Sequence, residues 1–71
     1  MTYELTADEK RNIVNNQMRN IAYKKYIAEV EIIAENAVTP LNTARISDLN
    51  AEILKCDDQL AALTTELESI V

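Results

Sequence analysis

ISDLNAEILKCDDQLAALTTELESI, residues 46–70, has the most regular apolar pattern in this chain. Its apolar residues recur in alternating steps of three and four, the spacing of the a and d positions of a coiled-coil helix. They are Ile46, Leu49, Ile53, Cys56, Leu60, Leu63, Leu67 and Ile70. Most residues between them are polar or charged, so the segment predicts a helix with one narrow apolar stripe and a solvated remainder.

An earlier helix is indicated by the run Thr6-Ala7-Asp8-Glu9. This run matches a capping box, in which the Thr6 hydroxyl accepts from the Glu9 amide and the Glu9 side chain reaches back. No helix-breaking residue follows until the middle of the chain, so we expect a first helix over about residues 7–36.

Pro40 marks the boundary between the two helices, because proline fits the first position of a helix and Thr39 before it is a good N-cap. The sequence therefore predicts a turn over about 37–39 and a second helix over about 40–69. An alternative is one helix that continues through Pro40 and pairs with another chain, although an internal proline costs about 3 kcal/mol.

Charge favours an antiparallel arrangement of the two helices. Residues 1–25 carry a local charge of +2 and residues 26–71 carry −7. Antiparallel pairing lays the basic start of the first helix beside the acidic end of the second, and the short connection permits this pairing alone. We therefore predict a single all-α domain, a coiled-coil-like two-helix antiparallel hairpin.

The first helix carries two apolar stripes, roughly 140° apart at 100° per residue. We assign the stripe in its second half to the contact with the second helix and the other stripe to self-association. The predicted hairpin core is Tyr26, Ile27, Val30, Ile33, Ile46, Leu49, Ile53, Cys56, Leu60, Leu63 and Leu67. The predicted self-association residues are Val14, Met18, Ile21, Ala28 and Ile32. One partner helix cannot cover both stripes, so we expect a homo-oligomer, with a dimer closing as a four-helix bundle favoured.

Composition argues against most enzyme chemistry. The chain has 71 residues, no glycine, no histidine and one cysteine. Phosphate-binding loops need glycine, and histidine is the usual general base and the commonest transition-metal ligand. We therefore expect a non-enzymatic protein with no catalytic residues, no cofactor and no metal site.

The polar, acidic opening segment MTYELTADEK lacks the apolar core of a signal peptide, which predicts a cytoplasmic protein with no membrane partner.

Three segments carry a resemblance to known sequences: LTADEKRNIV, VTPLNTARISDLNAEI and DDQLAALTTEL. They resemble short uncharacterised helical proteins of tailed phages that infect marine cyanobacteria. The resemblance implies a small phage product acting in the bacterial host cytoplasm, as a host-takeover factor or an assembly accessory, and it brings no functional residues with it.

Several functions are compatible with this sequence. The first is a self-associating helical protein-interaction module that binds another protein through apolar positions at helical spacing. A second is a small nucleic-acid-associated regulator that uses the basic first half of the first helix. A third is an acidic decoy of a host basic site, based on the excess of carboxylates in the second helix alone.

Overall fold

Two α-helices form a hairpin in the computed structural model, which describes residues 3–70. Helix α1 spans Ala7–Asn36 and helix α2 spans Thr43–Ser69. Lys25 pairs with Asp57 and Glu31 pairs with Arg45, so residue numbers rise along α1 as they fall along α2. The hairpin is therefore antiparallel, measures 60 × 20 × 14 Å, and confirms the predicted all-α two-helix fold. One helix continuing through Pro40 is ruled out by this turn.

Helix α1 begins at the capping box expected from the sequence. The Glu9 amide donates to the Thr6 hydroxyl at 3.1 Å, and the Thr6 amide donates to a Glu9 carboxylate oxygen at 3.0 Å. Asp8 and Glu9 also lie where the partial positive charge of the helix N-terminus stabilises carboxylates. These local interactions explain why α1 starts at Ala7.

Helix α2 begins three residues later than the sequence indicates. Its N-cap is Asn42, whose side-chain oxygen accepts from the Arg45 amide at 3.1 Å, and residues 37–42 form the connection. Thr39 and Pro40, the predicted cap and first helical residue, lie within this connection. Asparagine is a stronger N-cap than threonine, and both candidates occur within one helical turn of sequence. Proline at a favourable first position did not outweigh that preference.

The hairpin core consists of one stripe from each helix. On α1 the most buried residues are Ile21 and Ala28, and on α2 they are Leu49 and Cys56, all with at most 5% of their surface exposed. Partly buried residues extend the two stripes: Val14, Met18 and Ile32 on α1, and Ile46, Ile53, Leu60, Leu63 and Leu67 on α2. Since α2 is the only element packed against α1 among residues 3–70, these α1 side chains owe their burial to α2.

The assignment of the two α1 stripes was wrong. The residues predicted to pack against the second helix, Tyr26, Ile27, Val30 and Ile33, are exposed. The residues predicted for self-association, Val14, Met18, Ile21, Ala28 and Ile32, lie in the hairpin interface instead.

The physical reason is the length of each stripe. Partly or fully buried positions recur on α1 in steps of four and three from Ala7 to Glu35, so this stripe can face the α2 stripe along the whole helix. The competing stripe covers the second half of α1 alone. The longer stripe therefore contacts α2 over more turns, although the charged residues Arg11, Lys25 and Glu35 occupy positions in it.

Replacement of Ala28 by leucine tests this interface. Ala28 has 4% of its surface exposed, so the added side-chain volume must push the helices apart or strain them. We expect Ala28→Leu to lower the free energy of unfolding by about 1–3 kcal/mol in urea titrations followed by circular dichroism.

The matched control is Ala51→Leu on the exposed surface of α2, which should change stability by less than about 0.5 kcal/mol. Equal stabilities for the two variants would contradict the packing of Ala28 against α2.

Candidate interaction surface

An apolar surface lies on the side of α1 that faces away from α2. It consists of Tyr23, Tyr26, Ile27, Val30 and Ile33, which we call the outer face of α1. Tyr26 is 66% exposed and Ile33 is 70% exposed. Four of the five follow steps of three, four and three, the spacing with which one helix packs against another. The hairpin alone leaves this helix-packing pattern uncovered.

This apolar surface is confined to the half of the molecule near the turn. Val38 and Leu41 in the connection are also exposed and add apolar surface at the same end. Toward the N-terminus the same side of α1 is polar and exposed, formed by Asn12, Asn15, Asn16, Arg19 and Asn20. Asn16 and Asn20 therefore lie outside the hairpin interface. The change from polar to apolar side chains gives the outer face a sharp boundary near Arg19.

The size of the outer face distinguishes it from scattered exposed apolar residues. A tyrosine side chain can bury on the order of 200 Å². From the exposed fractions, the five side chains together leave about 500 Å² uncovered, the size of the largest patches on ordinary monomers, which are often functional. A contiguous patch of this size on a 71-residue chain is a candidate binding surface.

Helix α2 has no comparable surface among its described residues. Leu54, 65% exposed, is the one large apolar side chain of Thr43–Ser69 that is exposed. Ser47, Asp58 and Thr65 share its side of the helix and are exposed as well. Within residues 3–70, the larger exposed apolar surface of the two helices therefore lies on α1.

Two ion pairs connect the helices at the edges of the interface. Lys25 Nζ lies 2.7 Å from Asp57 Oδ1, and the Arg45 guanidinium contacts the Glu31 carboxylate. The Lys25 ammonium donates to the Asp57 carboxylate, and this hydrogen bond together with the attraction between their charges raises the pKa of Lys25. Lys25 thus occupies an apolar-stripe position with its charged end directed to a partner at the edge of the interface.

Alkaline pH should remove the contribution that the charged Lys25 side chain makes to the stability of the fold. Because its pKa is higher in the folded chain, the charged pair stabilises the fold fully below the unfolded value near 10.4 and loses this effect as pH rises through the folded pKa. Urea titrations at pH 8 and pH 11.5 should show a larger loss of stability for the parent chain than for Lys25→Met. An identical pH dependence in both chains would contradict a stabilising Lys25–Asp57 pair.

Cys56 lies at the centre of the hairpin interface with 1% of its surface exposed, and it forms no disulfide. Buried cysteines of this kind behave as small apolar side chains with little reactivity. We expect the folded chain to resist a maleimide reagent and the urea-unfolded chain to react at once, as measured by mass spectrometry. Rapid labelling of the folded chain would show that the interface opens readily.

The basic residues of α1 are partly neutralised within the chain. Arg11 pairs with Asp8 one turn earlier, and Lys25 pairs with Asp57. These two pairs use two of the five cations that the nucleic-acid hypothesis requires. The remaining three, Lys10, Arg19 and Lys24, do not form a continuous stripe, since Lys10 and Arg19 are nine residues apart on nearly opposite sides of the helix.

The geometry of residues 3–70 gives no support for a metal site or an enclosed ligand pocket. Within residues 3–70, no three or more cysteine and carboxylate side chains come together in a way that would hold a metal ion. The grooves along the hairpin are open to solvent, and one near the turn is lined by Lys24, Glu31, Arg45, Asp48 and Leu49, which include the Glu31–Arg45 pair. Neither helix of the described chain is long and apolar enough to cross a membrane.

Comparison with known proteins adds no assignment: no family model, no curated protein and no solved structure matches this chain. The outer face of α1 therefore has to be interpreted from its own chemistry. The sequence places all five residues on one face of the helix, but the prediction that four of them, Tyr26, Ile27, Val30 and Ile33, pack against the second helix was wrong.

Proposed function

We propose that this chain is a non-enzymatic helical interaction module that binds helices of other chains, including its own copies, through the outer face of α1. The observation that carries the proposal is the row of exposed apolar side chains at helix-packing spacing on that face. A solvated helix surface has no use for such spacing, whereas a helix-on-helix interface requires it.

Binding would be driven by removing these side chains from water. Full burial of one large apolar side chain contributes roughly 1.5–3 kcal/mol, and tyrosine is among the residues enriched at binding hot spots. Tyr23 and Tyr26 supply most of the area and can keep their hydroxyls in water at the edge of the contact. The formal charge of −5 would then disfavour acidic partners and favour neutral or basic ones.

Self-association into a four-helix bundle is the simplest form of this module. A hairpin of 71 residues buries few side chains, and among residues 3–70 four apolar residues have 5% or less of their surface exposed. Small folds of this kind commonly gain stability from a second chain. In such a bundle α1 would lie between α2 of its own chain and a helix of the partner, so both of its apolar stripes would be covered.

We also propose a biological setting, which depends on the resemblance to proteins of cyanobacterial phages. A short interaction module of this type would act in the cytoplasm of an infected bacterium, as a host-takeover factor or as an accessory in assembly. In either role the chain would work by occupying or joining helical surfaces of other proteins, with no cofactor.

Replacing Ile33 by lysine tests the proposed function. Ile33 is 70% exposed, so the substitution leaves the hairpin core intact while placing a charge in the proposed contact. Sedimentation equilibrium should show concentration-dependent dimerisation of the parent chain at micromolar concentration. Ile33→Lys should weaken that dimerisation about 30-fold or more, the effect of losing a hot-spot residue.

Leu54→Lys is the matched control, because Leu54 is 65% exposed on the other helix. It should leave the dimerisation constant within about threefold and the helical content unchanged. A parent chain that stays an 8.0 kDa species at every concentration, or equal effects of the two variants, would contradict self-association through α1.

The nucleic-acid and decoy hypotheses remain predictions that a capture experiment separates. Tagged chain is used to capture partners from a bacterial lysate, with and without nuclease and at rising salt. Nuclease-sensitive capture would favour the regulator, and loss at moderate salt would favour the acidic decoy. Capture that resists both and is lost in Ile33→Lys would favour the interaction module.

A further inference from the structure

We propose that two copies dock with the outer face of α1 against the same face of the partner, with the two α1 helices antiparallel. The two-fold axis would cross the interface between Tyr26 and Ile33. This inference rests on the proposed function and adds the identity of the partner helix and its direction.

The first argument is that the outer face matches itself in size and chemistry. Two copies would together bury about 1,000 Å² of side-chain surface, which is the lower limit for a specific interface. A two-fold contact uses the same patch on both chains and closes without leaving a free apolar face. Val38 and Leu41 are also exposed, in the connection at the same end of the hairpin.

The second argument excludes α2 as the partner helix. Docking the outer face of α1 on the outer surface of α2 would place Leu54 in contact but would also bury Asp58, which shares that side. An unpaired buried carboxylate is costly. A head-to-tail contact between the two different surfaces would leave an outer face of α1 free at one end of the assembly and an α2 surface free at the other, so it would grow into a filament unless it closed into a ring.

The third argument sets the direction. Asn12, Asn16 and Arg19 continue the heptad positions of Tyr23, Tyr26, Val30 and Ile33 toward the N-terminus. In a parallel pair, Arg19 of one chain would face Arg19 of its partner in the continuing contact, and juxtaposed like charges oppose association. In an antiparallel pair the apolar halves overlap, while most of each polar half extends past the partner's turn into water.

This arrangement gives the dimer a distinctive length. The outer face lies near one end of a hairpin 60 Å long, so an axis between Tyr26 and Ile33 leaves the two N-terminal ends pointing in opposite directions. At 1.5 Å per residue the antiparallel dimer would extend about 90 Å. A parallel pair of hairpins would keep the length near that of one chain, about 60 Å.

The test combines solution scattering of the unmodified dimer with distance measurement between spin labels. One nitroxide per chain is attached at Ile13→Cys or at Glu29→Cys, in a Cys56→Ala background, so that pulsed EPR reports distances between copies alone. Both sites are exposed, and neither belongs to the outer face. An antiparallel pair predicts about 45–55 Å between Ile13 labels and less than about 20 Å between Glu29 labels.

The outcomes separate this inference from the proposed function. A maximum dimension near 90 Å, with a long Ile13 distance and a short Glu29 distance, supports the antiparallel pair. Short distances at both sites and a length near 60 Å would overturn it in favour of a parallel pair. A dimer with long distances at both sites would overturn it in favour of another surface. In the last two cases the chain still associates, whereas a monomer at all concentrations would remove self-association as well.

Discussion

Packing of the long α1 stripe against α2 is the constraint on which the rest of the structure depends. Ile21 and Ala28 on one helix and Leu49 and Cys56 on the other are the most buried side chains, and the small size of Ala28 and Cys56 permits close approach of the helices. Once this pairing forms, the rotation of α1 about its own axis is determined. That rotation directs Tyr26 and Ile33 into solvent, so the exposed apolar face results from the choice of core.

Much of the fold could be predicted from the sequence because its signals are local. The capping box at Thr6 and the heptad spacing of α2 depend on neighbours within one or two turns, and both predict the helices correctly. The start of α2 was predicted less well, since Thr39 and Asn42 are competing caps three residues apart. Pro40 after Thr39 favours the earlier start, whereas asparagine is the stronger cap, so two local signals pointed to different residues and the Asn42 cap prevailed.

The candidate surface was harder to predict because it depends on competition between two stripes of the same helix. The stripe with Tyr26 and Ile33 has larger and more continuous apolar residues, and it therefore dominated the interpretation. The other stripe contains Lys25, yet it is longer, and the Lys25 ammonium reaches Asp57 at the edge of the interface. The length over which each stripe can contact α2 determines which stripe is buried. That length depends on how the two helices are paired, so it cannot be read from either helix alone.

The proposed function gives a physical reason why large aromatic residues lie on the outer face of α1 and not in the hairpin core. The stripe inside the hairpin combines the small Ala28 with the larger Ile21 and Ile32, and it contains no aromatic side chain. A stripe that must attract a separate chain has to overcome the loss of translational and rotational freedom on association, and tyrosine supplies much area from few positions. Tyr23 and Tyr26, held on a helix that α2 already supports, present that area with little further ordering. The proposed function therefore accounts for the tyrosines on the outer face of α1, which the hairpin fold alone does not require.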